Sequence, residues 1–197
     1  MRTGALTLLA AALALLLGVA CTAATPTPTP TRTPEATPTP TLTSTPTAAP
    51  EPTPPPGGVV AWVHPASQEL RAGQGTLLEV RVRSVDVGVS GVEVELAFDP
   101  QALEVALAGT GNVLGASPVA GLQEVDGEQG VVRVALARVG LTEPGSADGV
   151  LVRLAVTARE GATGSTALEV TTLAVADHEF NLVQRAEGQG ATLRIVP

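Results

Sequence analysis

The alternation of apolar and polar residues is clearest between Gly91 and Pro100. The apolar residues of this stretch are Val92, Val94, Leu96 and Phe98, and the residues between them are Glu93, Glu95, Ala97 and Asp99. A period of two places the two sets on opposite faces of a β-strand, with the apolar face buried and the carboxylates in water. Pro100 ends the strand because proline has no N–H for the ladder. We expect a central strand whose sheet exposes the candidate working surface.

Similar short segments, separated by glycine-rich turns, follow one another from residue 59 onward. The pattern predicts strands over residues 59–63, 76–84, 91–98, 103–107, 131–138, 150–159, 166–175 and 191–196. The turn-rich segment 109–130 predicts at most a brief strand, near Val113 or Leu122. No segment has the pattern of an amphipathic helix. These features predict an all-β fold, an antiparallel β-sandwich of the jelly-roll or immunoglobulin-like type.

Residues 1–20 form a separate leader with one arginine and an apolar run over 6–17. This is typical of a signal peptide, and the run is too short for a spanning helix, which needs about 20 apolar residues. The run ends in LLLGVAC and resembles the lipobox of bacterial lipoproteins. That resemblance implies that Cys21 is lipidated, becomes the mature N-terminus and holds an exported protein at the cell surface. Ordinary cleavage near Ala23 or Ala24, which releases a secreted protein, stays an alternative.

Residues 21–57 contain twelve of the 17 prolines, many of them in Thr-Pro repeats. Such a segment has too little apolar surface to offset the entropy of ordering, so we expect a disordered linker with polyproline II character. The remaining residues, 58–197, are enough for one domain with its own core. The sequence thus predicts a domain held clear of its anchor by a semi-rigid spacer.

The charge of residues 58–197 narrows the choice of ligands. Nine arginines, no lysine and seventeen acidic residues leave a net charge of −8, which repels a phosphate backbone and excludes nucleic acid as a partner. The aromatic residues are Trp62, Phe98 and Phe180. They are too few for the flat aromatic strip with which carbohydrate-binding modules of this sandwich class hold a polysaccharide. Polysaccharide binding and a purely structural role in the envelope stay as alternatives to protein binding.

No catalytic constellation can be assembled from the sequence. Glu93 and Glu95 lie about 7 Å apart on one strand face, a separation that a glycosidase pair can have. An exposed strand provides neither a cleft nor the burial that raises the pKa of one carboxyl group. The loop from Asp177 to Asn181 offers oxygen ligands, but its spacing does not match a calcium loop. The sequence predicts a protein that is not an enzyme and has no cofactor or metal of its own.

With these strands placed, residues 59–197 resemble a cohesin domain, the receptor module that anchors dockerin-bearing enzymes in cellulosomes. The stretches that carry the resemblance are RAGQGTLLEVRV, GVEVELAFDPQALEV, DGEQGVVRVALA and DGVLVRLAVTAREGATGSTALEV. The resemblance implies a nine-stranded jelly-roll. It also implies that strands eight, three, six and five form the sheet whose outer face meets dockerin.

The resemblance further implies which residues bind the partner. They are Glu93 and Glu95 on the third strand, Arg133 and Ala135 on the sixth, and Glu169 and Thr171 on the eighth. The implied partner is a dockerin-type protein, a helical pair whose calcium belongs to the dockerin and not to this chain. The implied mechanism is equilibrium binding without chemistry, with membrane contact through the lipid anchor alone.

Overall fold

The computed structural model describes residues 50–143 and 145–197, which form eleven strands and no helix. The strands are β1 (Val59–His64), β2 (Ser67–Arg71), β3 (Gly75–Ser84), β4 (Val89–Phe98), β5 (Leu103–Thr110), β6 (Val119–Asp126), β7 (Val131–Ala137), β8 (Asp148–Ala158), β9 (Gly164–Asp177), β10 (Ala186–Gln189) and β11 (Ala191–Val196). No described segment is a helix long and apolar enough to cross a membrane. The predicted leader, Cys21 and the linker as far as residue 49 lie outside the described residues.

The strands form two sheets that enclose one core. The first sheet has the order β10-β1-β3-β8-β5, and the second has the order β2-β11-β9-β4-β7-β6. The pairings between named strands are antiparallel except β1 with β10 and β2 with β11, which are parallel. The segments predicted as strands eight, three, six and five are β9, β4, β7 and β6, and they are neighbours in that order.

The alternation of the sequence accounts for the core. On β4, Val92 and Val94 are buried between the sheets, whereas Glu93, which lies between them in the sequence, is exposed on the outer face. The same holds on β3, where Val80 and Val82 are fully buried. Burying a valine or leucine side chain contributes about 1.5–3 kcal/mol, so repetition along each strand fixes which face turns inward.

The sandwich class is confirmed, but the strand count is eleven rather than nine and each sheet contains one parallel pair. The two additional strands, β2 and β10, lie at sheet edges. Their sequences, SQELR and AEGQ, show no two-residue period, because Leu70 is the only residue of these two strands that is fully buried. Strand β6 is longer than the brief strand expected near Leu122. It too is an edge strand, largely exposed, while Val113 is buried in the preceding loop.

The turn before β7 fixes the position of the strand that follows. Asp126 Oδ1 accepts hydrogen bonds from the backbone N–H groups of Glu128 and Gln129, and Gly130 donates to the carbonyl oxygen of Asp126. Gly130 has a φ of +70°, and its carbonyl oxygen accepts a 2.8 Å hydrogen bond from Phe98 at the end of β4. A Cβ at Gly130 would overlap the carbonyl oxygen of Phe98. This position therefore requires glycine.

We expect Gly130→Ala to lower the free energy of unfolding by at least ~1–2 kcal/mol, because a left-handed residue with a Cβ is strained and here also overlaps backbone. Gly127→Ala, in the same turn, is the matched control because an added Cβ meets no atom within 4 Å. Its effect is expected to stay within about 0.5 kcal/mol. Urea unfolding of the two variants measures the difference, and equal effects would contradict this interpretation of the turn.

Candidate functional site

The outer face of the second sheet is formed by the outward side chains of β9, β4, β7 and β6. In the pairing register, Glu93 lies opposite Ala135 on β7 and Ala174 on β9. One pair further along, Glu95 lies opposite Arg133 and Thr172. All six residues predicted to bind a partner lie on three neighbouring strands: Glu93, Glu95, Arg133, Ala135, Glu169 and Thr171. The structure brings them together on one face, and their role in binding stays a prediction.

Glu95 is held by its neighbours on both sides. Its Oε2 atom accepts a hydrogen bond from Nε of Arg133 at 2.9 Å, and its Oε1 atom accepts one from the hydroxyl of Thr171 at 3.0 Å. Arg133 also lies 3.7 Å from Glu124 on β6. The hydrogen bond from Arg133, followed by that from Thr171, lowers the pKa of Glu95 below the ordinary value of a glutamate. This half of the face is a paired polar network.

Glu93 and Glu169 differ from Glu95 in being available to a partner. Both are exposed, and neither takes part in an ion pair among the described residues. Glu93 borders the apolar half of the face, and Glu169 lies opposite Ala97 on the polar half. Of the four charged residues predicted to bind a partner, these two have no ion-pair partner within the described ranges.

The apolar half of the face is a shallow trough of about 290 Å³. Small residues on β4, β7, β9 and β6 line its floor: Gly91, Ala135, Ala137, Ala174, Ala176 and Gly121. Its rims are Val119 on β6 and Leu182, which is bridged to Ala176. These rim side chains are 58% and 66% exposed. The trough is the most apolar concave part of this face and is the candidate binding surface.

Sequence reasoning found Ala135 but missed the rest of the trough. The rim residues escaped because Val119 begins an edge strand without a period and Leu182 follows the loop after β9. A usable signal was present in VALA at 134–137 and LAVA at 173–176. In both stretches alanine takes the outward position where a solvated strand ordinarily carries polar side chains.

The loop after β9 uses its acidic group to form a turn. Asp177 Oδ1 accepts hydrogen bonds from the backbone N–H groups of Glu179 at 2.8 Å and Asn181 at 2.9 Å. The hydrogen bond from Asn181 is the largest cause that lowers the pKa of Asp177. Within the described ranges, no three His, Cys, Asp or Glu side chains come together as a candidate metal site. Leu182 follows this turn directly and is bridged to Ala176 at the rim of the trough.

The three aromatic residues of the domain do not form a strip. Phe98 is in the core, Phe180 is exposed on the loop after β9, and Trp62 is buried on the outer side of the first sheet. Stacking of sugar rings needs exposed, coplanar aromatic faces, which this arrangement does not offer. The alternative of polysaccharide binding therefore gains no support from the described residues.

The family model of the Cohesin domain matches residues 60–189, most of the chain that the structure describes. This chain belongs to the cohesin domain family, a family of non-catalytic protein-binding modules that are typically extracellular. The membership confirms the resemblance inferred from the sequence. A comparison with curated proteins gives no match.

Solved structures show the same fold at low identity. The non-cellulosomal cohesin from the archaeon Archaeoglobus fulgidus has a TM-score of 0.56 and 19% identity, covering 71% of this chain and 92% of its own. The Coh-OlpA–Doc918 complex, a type I cohesin–dockerin complex from Clostridium thermocellum, has a TM-score of 0.58 and 17% identity, and the match covers 71% of this chain and 99% of the other. A type II cohesin domain from the cellulosome of Acetivibrio cellulolyticus has a TM-score of 0.55 and 13% identity, and the match covers 71% of this chain and 95% of the other. These similarities support the sandwich fold.

We expect Arg133→Gln to raise the pKa of Glu95 toward the ordinary glutamate value, because the largest cause of its lowering is removed. A lowered folded pKa stabilises the fold above the unfolded pKa of about 4.3, and this stabilisation is lost as pH falls through the folded pKa. Arg133→Gln is thus also expected to weaken the dependence of stability on acid pH. Carboxyl NMR titration of Glu95 measures the first effect. Arg153→Gln, on the first sheet beside Glu79, is the control, and an unchanged Glu95 pKa in Arg133→Gln would contradict the assignment.

Proposed function

We propose that the outer face of the second sheet docks a dockerin-type protein, and that the chain acts by equilibrium binding without catalysis. The observation that carries the proposal is the trough of small residues between Val119 and Leu182. Family membership and the similarity to cohesins solved with dockerins support the class of partner. No observation favours a second function over this one.

The trough is wide enough to admit one α-helix. Its rims, Val119 on β6 and Leu182 on the far side of β9, are four strand spacings apart. At about 4.8 Å per spacing this amounts to about 19 Å between the rim backbones, compared with about 10–12 Å for a helix with its side chains. A floor of glycine and alanine lets the helix approach closely, while Val119 and Leu182 contact its flanks. A helical partner fits the helical pair of a dockerin.

The charges around the trough favour a partner with a basic residue beside its apolar face. Glu93 lies at the border of the trough and has no ion pair among the described residues, and the whole chain carries a net charge of −8. Such complementarity mainly sets the rate of association and the choice of partner. Glu95 and Arg133 are already paired with each other and form a pre-organised polar border beside the trough. An interface of ordinary size buries about 800 Å² on each partner, which is more area than the trough alone offers. The proposed interface therefore includes Glu93, Glu95 and Arg133 as well as the trough.

We expect Ala135→Arg to weaken dockerin binding at least about thirtyfold, because a long charged side chain fills the centre of the trough and a hot-spot loss is about 2 kcal/mol. Ala106→Arg is the matched control, since Ala106 is an exposed alanine on β5 of the opposite sheet. Isothermal titration calorimetry against purified dockerin modules, in calcium and again in chelator, measures the affinities. Urea unfolding verifies that both variants stay folded.

Equal affinities of Ala135→Arg and the wild type would place the interface elsewhere on the domain. Failure of every dockerin in the set to bind in calcium would contradict a dockerin as the partner. Binding that persists unchanged in chelator would contradict a partner held together by calcium loops.

We further propose that Cys21 is lipidated and holds the domain at the cell surface through the linker. The basis is the sequence LLLGVAC after an apolar leader. Cys21→Ser removes the only thiol of the chain, and the variant is expected to move from the detergent phase to the aqueous phase of a Triton X-114 extract. A control change, Thr22→Ser, leaves the thiol in place. Retention of Cys21→Ser in the detergent phase would contradict a lipid anchor.

A further inference from the structure

Part of the outer face of the first sheet is covered by the chain's own residues, whereas the trough on the second sheet is exposed. Trp62 lies between Ala61 and Val63, which belong to the core, so its ring points to the outer side of β1. The ring is nevertheless only 3% exposed. The guanidinium groups of Arg81 and Arg83, on the neighbouring β3, lie 5.7 and 5.2 Å from the ring centroid. Both distances are within the range of cation–π attraction.

The end of the Thr/Pro-rich segment runs over this face. Glu51 Oε2 lies 2.7 Å from Nη2 of Arg83, and Glu51 Oε1 lies 3.9 Å from Nη1 of Arg81. Nη1 of Arg83 also donates to the carbonyl oxygen of Pro52 at 3.2 Å. Pro54 is buried. Three groups in the four residues 51–54 are thus held against the domain: the carboxylate of Glu51, the carbonyl group of Pro52 and the buried ring of Pro54.

Arg83 is held from the sheet as well. Asp148 on β8 lies 2.8 Å from Nη2 of Arg83, so two carboxylates share one guanidinium. The pKa of Arg83 is raised, with the hydrogen bond to Glu51 as the largest cause. Downstream of the contact, the backbone N–H of Gly57 donates to the carbonyl oxygen of Val85 at 3.0 Å. The segment is fastened at both ends before β1 begins.

We propose that residues 50–54, with the sequence PEPTP, form a strap, and that the outer face of the first sheet is a binding site for an acidic proline-rich segment filled by this chain's own strap. A polyproline II segment is already extended, so docking costs little backbone entropy. The carboxylate of Glu51 accepts a charge-assisted hydrogen bond from Arg83 and forms a longer ion pair with Arg81 beside the indole. In this view the folded domain begins at residue 50 rather than at 58.

The strap determines where the linker leaves the domain. The linker departs over the first sheet, on the opposite side of the sandwich from the trough of the second sheet. The strap and the trough therefore occupy opposite outer faces of the domain. The strap does not rest on the proposed function.

The chain contains a matched control for the strap. The pattern P-E-x-T-P occurs at 50–54 as PEPTP and at 34–38 as PEATP, so Glu35 and Glu51 have the same local sequence context. The chain also has one tryptophan and no tyrosine, so its ultraviolet fluorescence reports Trp62 alone. The indole Nε1 is buried without an acceptor among the described residues, and the ring lies beside the two arginines that Glu51 contacts. We therefore expect water to reach the indole when the strap is opened.

We expect Glu51→Arg in the full chain to shift the emission of Trp62 to longer wavelength and to raise its quenching by acrylamide, because a cation at position 51 is repelled by Arg81 and Arg83. Pro54→Asp, which puts a charge in the buried site, is expected to act in the same direction. Glu35→Arg is expected to leave emission and quenching unchanged. Far-UV circular dichroism and a cooperative unfolding transition verify that each variant is folded.

Wild-type emission and quenching in both Glu51→Arg and Pro54→Asp would overturn the strap, because the arginines alone would then cover the ring. A red shift of equal size in Glu35→Arg would also overturn it, because the effect would follow from the charge of the linker and not from the contact. Neither readout depends on dockerin binding, so failure of the docking proposal leaves this test intact.

Discussion

The two-residue period of the strands is the constraint on which the rest of the structure depends. Once Val94 and Leu96 are buried between the sheets, Glu93 and Glu95 must face outward, and the neighbouring β7 alternates in the same way. The core uses one face of each sheet and leaves two outer faces for other purposes. In this chain those two faces are used differently, one closed by the chain's own strap and the other left with a bare apolar trough.

The two outer faces of the domain carry different kinds of side chain. On the first sheet, arginines carry the outward positions of β3 and gather the carboxylates of Glu51 and Asp148 over Trp62. On the second sheet, alanine and glycine take the corresponding places, and the charges are restricted to one half of the face. No other part of the described chain covers the apolar area of these small residues, and in the proposed function a partner buries it.

Much of the fold could be predicted from sequence, because most strands bury one face and so show the period in their residues. The edge strands β2 and β10 could not, since pairing of backbone groups holds them and few of their side chains are buried. The proposed location of the site was inferred from the resemblance and the outward residues of β4, and it stays a prediction. The trough did not, because Val119 and Leu182 reach it from an edge strand and a loop whose positions depend on the whole sheet. The strap was missed because proline-rich composition predicts disorder, and a single glutamate beside two arginines reverses that expectation locally.

The central claim is that the outer face of the second sheet is where a partner docks. A backbone amide NMR map of the labelled domain, recorded with and without a saturating dockerin module, tests it most directly. The largest shifts should lie on β9, β4, β7 and β6 around Gly91, Ala135 and Ala174, with little change around Trp62 on the first sheet. Shifts concentrated on the first sheet, with the amides around Ala135 unmoved, would contradict the assignment of the docking face.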